Sequence, residues 1–463
     1  MSFSQLISIL KHASCDIDYY ISMAAAACEI DTIIKHINIK KTISCGFNHY
    51  TINLVVPKNQ FEDDIYANNK ELLDIVPRAY TIITNGSDSE EHIVSFVTGP
   101  CKFAGKTAID EDPDKELSFK DTGIYDHSKV MSWADAGYLQ ITSSEKANGK
   151  FAICRLFYYN NIQYIAFGSK NYHITIQLDS LEEWLSDEAH DTPDNAIIYS
   201  VAVDIHTNLY RISLLMPTFT EGYTLCGELC DGQHFVSGDN TIEWFGFFCF
   251  GECLDTRITN QLLDSSGIKK VNSKVVFNPG DDIFKIDTII KMSRCVKNEG
   301  NVLYFQNVTT GHIILCKTKS VRYILMRMLR QAIINRGYLG IDAFIKRVID
   351  ASDYHGLHTY AATLIAIQLI RFVFWMLEHK IPTNVLGVIP VVSVRGKLPT
   401  GFAIWWNQYL ITTGTPDIDI TLDDFGDFDK DVFHAAMDKH MKNGIRTNDD
   451  RDECNKTKYK KNK

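Results

Sequence analysis

Two periodicities divide the chain. Over 41–57, and then from about 90 to 320, the pattern is mostly that of short strands. The clearest runs are 41–57, His92–Thr98, FAICRLFYY, QYIAFGS, HITIQL, AIIYSVAVDI, YRISLLM, YTLCGEL, TIEWFGFFCF, VLYFQNV and HIILCKTK. Turn clusters separate them, including an Asn-Gly loop at Asn85–Glu91. Residues 1–40 carry apolar positions at helical spacing. From about 321 the period becomes helical again, through VRYILMRMLRQAIINRG, AFIKRVIDAS and YAATLIAIQLIRFVFWMLEHK. Many short strands with few long helices between them predict an α+β fold of antiparallel sheets, followed by an all-α C-terminal domain. The expected division is 1–325, with a helix-and-strand subdomain at 1–90, then 326–425. A charged tail at 426–463, ending in Lys460-Lys461-Asn462-Lys463, is expected to be disordered.

Length and composition narrow the class. The 463 residues are enough for two or three domains, and 45% hydrophobic content with 11 prolines describes a globular chain. The net charge of −10 means that a nucleic-acid site would have to be a local basic patch on an acidic protein. Twelve cysteines are scattered behind a start, MSFSQLISILKHAS, that lacks the basic and apolar regions of a signal peptide. A reducing intracellular compartment, cytoplasm or nucleus, is expected. Ile21–Cys28 is too short to span a bilayer. Ala361–Leu377 carries Arg371 and is followed by Glu378, His379 and Lys380, whereas a span needs about 20 apolar residues. A buried helix is expected there, and no membrane partner.

The candidate chemistry starts at Ser143–Phe151. Lys146-Ala147-Asn148-Gly149 places a lysine before an Asn-Gly turn at the mouth of a strand. Four blocks follow in order: Gly168-Ser169-Lys170-Asn171, Gly227-Glu228-Leu229, Glu299-Gly300-Asn301-Val302-Leu303 and Lys317-Thr318-Lys319-Ser320. Strand alternation puts Lys317 and Lys319 on one face and leaves Glu228 as the charged group on its own. A loop lysine, two carboxylates and further lysines form a set suited to a nucleoside triphosphate and a divalent metal.

These blocks resemble the covalent nucleotidyltransferase superfamily, and within it the RNA ligases. The nearest likenesses are the adenylyltransferase domain of fungal and plant tRNA ligases and the phage-type RNA ligase 1. KANG at 146–149 is similar to motif I, GSKN at 168–171 to motif Ia, GEL at 227–229 to motif III, EWFGFF at 243–248 to motif IIIa and EGNVL at 299–303 to motif IV. Lys317-Thr318-Lys319-Ser320-Val321-Arg322-Tyr323 and the following Ile324–Arg330 resemble motif V and its continuation. The likeness covers about 100–330.

The resemblance implies an ATP-dependent ligase that seals 5′-phosphate and 3′-hydroxyl RNA ends through lysyl-AMP, with Mg²⁺ or Mn²⁺, and with broken or cleaved RNA, tRNA among the candidates, as partner; a monomer is expected. It makes Lys146 the nucleophile. Glu145, Asn148, Gly149, Lys170, Glu228, Lys317 and Lys319 would contact the nucleotide, and Phe247 would stack on the base. Glu299 would hold the metal, and Lys106, Lys129, Arg322, Tyr323 and Arg327 would meet triphosphate or RNA. The chain departs from the family upstream. The stretches at Phe103–Lys106 and Lys129–Ser132 lack the family's arginine and aromatics.

Two other functions stay open: a GTP-dependent mRNA capping guanylyltransferase, and an inactive RNA-binding member of the same fold. Three further patterns are set aside. Gly99–Thr107 has one residue too many for a phosphate-binding P-loop. The Cys226/Cys230 and Cys249/Cys253 pairs read as ordinary buried thiols. His49-Tyr50-Thr51 and His173-Ile174-Thr175 match a two-histidine phosphoesterase pattern at too wide a separation.

Overall fold

A computed structural model describes residues 37–444 apart from 59–61, 71, 87–91, 106–123, 189, 191–194, 231–239 and 387–400. Of the helix expected over 1–40, residues 1–36 lie outside the described residues, as do Lys106 and the part of the 426–463 tail from 445; the earlier part of that tail forms the helix Lys430–Gly444 instead of the expected disorder.

The first sheet runs in the order β1 (Ile37–Ser44), β2 (Phe47–Leu54), β3 (Tyr80–Asn85) and β4 (His92–Val97), each pair antiparallel. The helix expected up to residue 40 therefore gives way to strand from Ile37. Cys45 and Gly46 both have positive φ, at 51° and 78°, which is the two-residue turn that joins right-twisted strands. That turn folds 37–54 into a hairpin where one strand over 41–57 was expected.

The larger sheet has six strands. Its order is β11 (Glu252–Cys253), β10 (Thr241–Cys249), β9 (Thr224–Cys230), β6 (Lys150–Tyr159), β7 (Ile162–Gly168) and β8 (His173–Gln177). The third sheet has the order β12 (Ser273–Phe277), β5 (Leu139–Glu145), β13 (Gly300–Asn307) and β14 (Ile313–Lys319). All the pairings are antiparallel. Consecutive strands β5 and β6 lie in different sheets, so the segment Lys146–Gly149 is the crossing between them.

Two segments expected as strands are helices. AIIYSVAVDI lies in the helix Ala196–Thr207, and YRISLLM overlaps the helix Leu209–Ser213. Ile198, Val201, Ala202 and Ile205 repeat at three- and four-residue spacing and are buried in the cluster beneath the six-stranded sheet. Their β-branched content imitates a strand, and the period decides otherwise.

From Val321 onward the described elements are helices: Val321–Arg336, Gly340–His355, Thr359–Glu378, Phe402–Thr413 and Lys430–Gly444, with short 3₁₀ turns between them. The division expected at 325 falls inside the first of these. Ser320 caps that helix, its side chain accepting from the Tyr323 N–H at 3.2 Å. Thr359–Glu378 is long and apolar enough to cross a membrane, and 67% of its most apolar stretch is buried against the rest of the protein. Phe372 on this helix is fully buried, with the Phe402 and Trp406 rings each 5.3 Å away. Truncating it leaves a cavity between helices that cannot collapse onto it. Phe372→Ala should cost about 3–5 kcal/mol, read as a lower urea midpoint at an unchanged slope.

Candidate active site

The β5–β6 crossing places Lys146 in a cleft of about 200 Å³ between the six-stranded sheet and the β12–β5–β13–β14 sheet. The loop is tied at both ends. Lys146 N–H donates to the Gly300 carbonyl at 2.8 Å, and Glu145 N–H to the Asn272 carbonyl at 2.8 Å. A side chain at Gly149 would run into the Leu229 carbonyl of β9, so this turn needs a residue without Cβ.

Glu299 makes the central contacts. Its Oε1 lies 2.9 Å from Lys146 Nζ, and its Oε2 accepts from Asn148 Nδ2 at 2.6 Å. Glu228 on β9 faces the same space. Lys317 and Lys319 enter from β14, paired opposite Val302 and Gly300, and both are buried. Lys317 Nζ sits 5.9 Å from the Phe103 ring centre. Glu145 also lines the cleft, and its Oε2 accepts from Asn272 Nδ2 at 3.1 Å. Blocks at 146, 228, 299 and 317–319, far apart in sequence, thus meet in one place.

The electrostatics follow from burial and from these neighbours. Burial works against the Lys146 charge, but Glu299, Glu228 and Tyr323 outweigh it and raise its pKa above the ordinary lysine range. Burial also works against the Glu299 charge, yet Lys146 and Lys319 hold its carboxyl below the ordinary range. Glu228 goes the other way. Burial and the Glu299 charge push it up to about 7, against the pull of Lys146 and Arg78. Burial pushes the Tyr323 hydroxyl up to about 12.

Several expected contacts fall elsewhere. Phe247 is fully buried in the core on the far face of β10, and the rings that line the cleft are Phe245 and Phe248. A β-bulge between Trp244 and Gly246 shifts the register, so Phe245 and Phe247, which regular alternation would put on one face, lie on opposite faces. Arg322 is buried. It donates from Nη2 to both carboxylate oxygens of Asp417, at 2.9 and 2.8 Å, and from Nη1 to the Lys297 carbonyl at 2.8 Å. It therefore braces protein and does not face the cleft. Lys170 pairs with Glu62 at 3.5 Å and is not among the cleft residues. Lys129 lies over the Trp133 ring on the helix His127–Asp135. Tyr323 and Arg327 interact with each other on the helix that follows β14. The two histidines of the phosphoesterase-like pattern are buried, their pKa values lowered to about 4 for His49 and about 3 for His173, so both are neutral core groups.

Sequence reasoning missed Arg78, Phe103, Phe151 and Tyr304, all of which line the cleft. Arg78 reaches it because its backbone pairs with Gly99 and Pro100. That is a contact between segments which no local pattern marks.

A divalent metal belongs to the chemistry that the resemblance implies. Among the described residues, no group of three or more His, Cys, Asp or Glu could hold one. The donor set fits a metal that takes Glu299 and fills its remaining positions from phosphate oxygens and water, as Mg²⁺ commonly does.

No family model matches the chain, and no curated protein does. Solved structures similar to it include an archaeal ATP-dependent RNA ligase, at 12% identity and a TM-score of 0.46, covering 92% of this chain and 99% of that one. Naegleria gruberi RNA ligase with PPi is similar at 14% identity and a TM-score of 0.28, covering 42% and 53%. A variant of the same ligase with ATP and Mn gives 14% and 0.28, covering 62% and 76%. These likenesses are distant.

The raised carboxyl of Glu228 has a consequence for stability. A folded pKa of about 7 against an ordinary 4.5 means that the neutral form is favoured by folding. The stability it contributes is complete below about 4.5 and is lost as pH rises through about 7. Glu228→Gln should flatten the fall in thermal midpoint between those two values, measured against the unaltered protein in the same buffers.

Proposed function

We propose that the protein is an ATP-dependent RNA ligase joining 5′-phosphate to 3′-hydroxyl ends. The observation that carries this reading is the convergence of Lys146, Glu228, Glu299, Lys317 and Lys319 on one cleft walled by Phe103, Phe151, Phe245 and Phe248. Aromatic walls offer a stacking surface for a base, and the buried lysines suit the phosphates of the same nucleotide.

In the first step the Lys146 amine attacks the α-phosphorus of ATP. The ammonium first gives a proton to solvent; a nitrogen–phosphorus bond then forms, the bond to pyrophosphate breaks, and a second nitrogen proton passes to solvent. A lysine ordinarily titrates near 10.4, and in the free protein Glu299 holds Lys146 charged. Attack requires that this ion pair loosen. Lys317 and Lys319, placed against the incoming phosphates, offset the charge that develops as pyrophosphate leaves. Glu299 would hold a divalent metal, which would supply further positive charge at those phosphates. In the second step an RNA 5′-phosphate oxygen attacks the lysyl-AMP phosphorus, and the lysine leaves and regains a proton. In the third the RNA 3′-hydroxyl attacks the 5′-phosphorus, and AMP departs. The raised carboxyl of Glu228, able to donate near neutral pH, suits a hydrogen bond to the nucleotide. Tyr323, beside Lys319, and its partner Arg327 do not line the cleft and would meet RNA beyond it, with RNA repair or tRNA processing as the setting.

Incubation with α-³²P-ATP and Mg²⁺ should give a labelled band on a denaturing gel, lost in Lys146→Ala and discharged by 5′-phosphorylated RNA. Labelling by GTP alone would instead mean a capping enzyme. No label from folded protein would leave an RNA-binding scaffold. Because stacking on an aromatic ring is worth about 1–3 kcal/mol, Phe245→Ala should raise KM for ATP roughly tenfold while kcat stays within about twofold.

A further inference from the structure

The turn Lys297-Asn298-Glu299 delivers the carboxylate that meets Lys146, and this turn is gripped from the helical part of the chain. Arg322 donates to the Lys297 carbonyl at 2.8 Å, and Ser320 Oγ donates to the Asn298 carbonyl at 2.8 Å. Ser320 N–H donates to the Glu299 carbonyl at 2.9 Å. Arg322 is itself held by Asp417, some 95 residues later, through the 2.9 and 2.8 Å contacts to its two oxygens. Asp417 Oδ1 also accepts from Trp406 Nε1 at 2.9 Å and from the Ile418 N–H at 2.8 Å. Nearby, Lys297 Nζ lies 3.4 Å from Asp419. Arg322 has only 8% of its side chain exposed. A guanidinium buried this far needs its carboxylate, and losing one partner of such a pair costs more than the pair itself contributes. Nothing in the cleft chemistry calls for this arrangement. It connects the segment after the Phe402–Thr413 helix to the strand that carries Glu299.

We infer that Asp417 is a positioning residue for the lysine chemistry: through Arg322 it fixes the Lys297–Glu299 turn, so that the C-terminal helices support nucleotide transfer to Lys146 as well as any choice of RNA. This rests on the ligase reading for its chemical step and on the hydrogen-bond chain alone for its structural step. Asp417 touches neither the cleft nor a nucleotide, so its loss acts on geometry. The rate at saturating ATP should then fall more than the affinity for ATP, since the cleft walls and Lys317 and Lys319 stay in place.

The test uses the full chain. Asp417→Asn should lower the maximal rate of labelling from α-³²P-ATP about tenfold, with KM for ATP changed by less than about twofold. Hydrogen exchange should quicken in peptides covering 297–303. The conservative Asp417→Glu should recover most of the rate, and Asp423→Asn, on an exposed turn, should match the unaltered protein. If Asp417→Asn does not melt cooperatively, Trp406→Phe, which removes a different hydrogen bond to the same carboxylate, takes the same measurements. A folded variant with unchanged exchange at 297–303 and unchanged maximal rate would overturn the inference. If the unaltered protein takes no label, the ligase reading fails while the exchange result still decides the coupling. Faster exchange confined to 297–303 supports it, and unchanged exchange removes it.

Discussion

The ion pair between Lys146 and Glu299 is the constraint on which the cleft depends. Two opposite charges 2.9 Å apart, with the carboxylate almost wholly buried, stand only if every remaining lone pair is met. Asn148 meets the second oxygen of Glu299. Lys319 adds charge from β14. The backbone is shaped to the same end. Gly300 has a φ of +146° and lies hard against the Thr318 carbonyl, so β13 and β14 approach closely where Glu299 enters. The partner that orders Lys146 also holds it protonated.

That constraint sits in a cluster of buried cationic groups on a chain whose net charge is −10. The cationic groups are concentrated where β14 and Arg78 face the β5–β6 crossing, and the two carboxylates there are differently tuned by their surroundings. Glu299 stays ionised between two lysines. Glu228, buried and repelled by Glu299, is near the point of neutrality at pH 7. Two carboxylates in one cleft can therefore do different work. The sheets act as rigid walls, and the bulge in β10 turns both Phe245 and Phe248 toward the cleft where a regular strand would present only one of them.

Among the described residues, a buried link through Arg322 joins the helices past Val321 to this site. Arg322 follows β14 directly and is held by Asp417 from the far side of the helical core, so the core around Phe372 and Trp406 and the turn before β13 are braced against each other. Whatever the helices recognise, their packing bears on where Glu299 lies.

Much of the site was legible in the sequence, because its chemistry is local in type and position. KANG, GEL, EGNVL and KTKS each place a charged residue at the end or on one face of a strand, and alternation alone predicts that Lys317 and Lys319 point the same way. The change of period near 321 announced the helices. What only the tertiary structure decided depends on contacts between distant segments. Arg78 enters the cleft through pairing with Gly99 and Pro100. Arg322 looks like a free phosphate-binding cation until Asp417 is brought beside it. Phe247 leaves the face of Phe245, and Phe248 joins it there, because a bulge, invisible to a two-residue period, shifts one strand by one residue. Ala196–Thr207 reads as a strand by composition and is a helix, because its apolar residues need one stripe to cover the six-stranded sheet. Residue types and short-range spacing determined which groups the site would use. Burial, register and the docking of remote segments decided which of them face the same space.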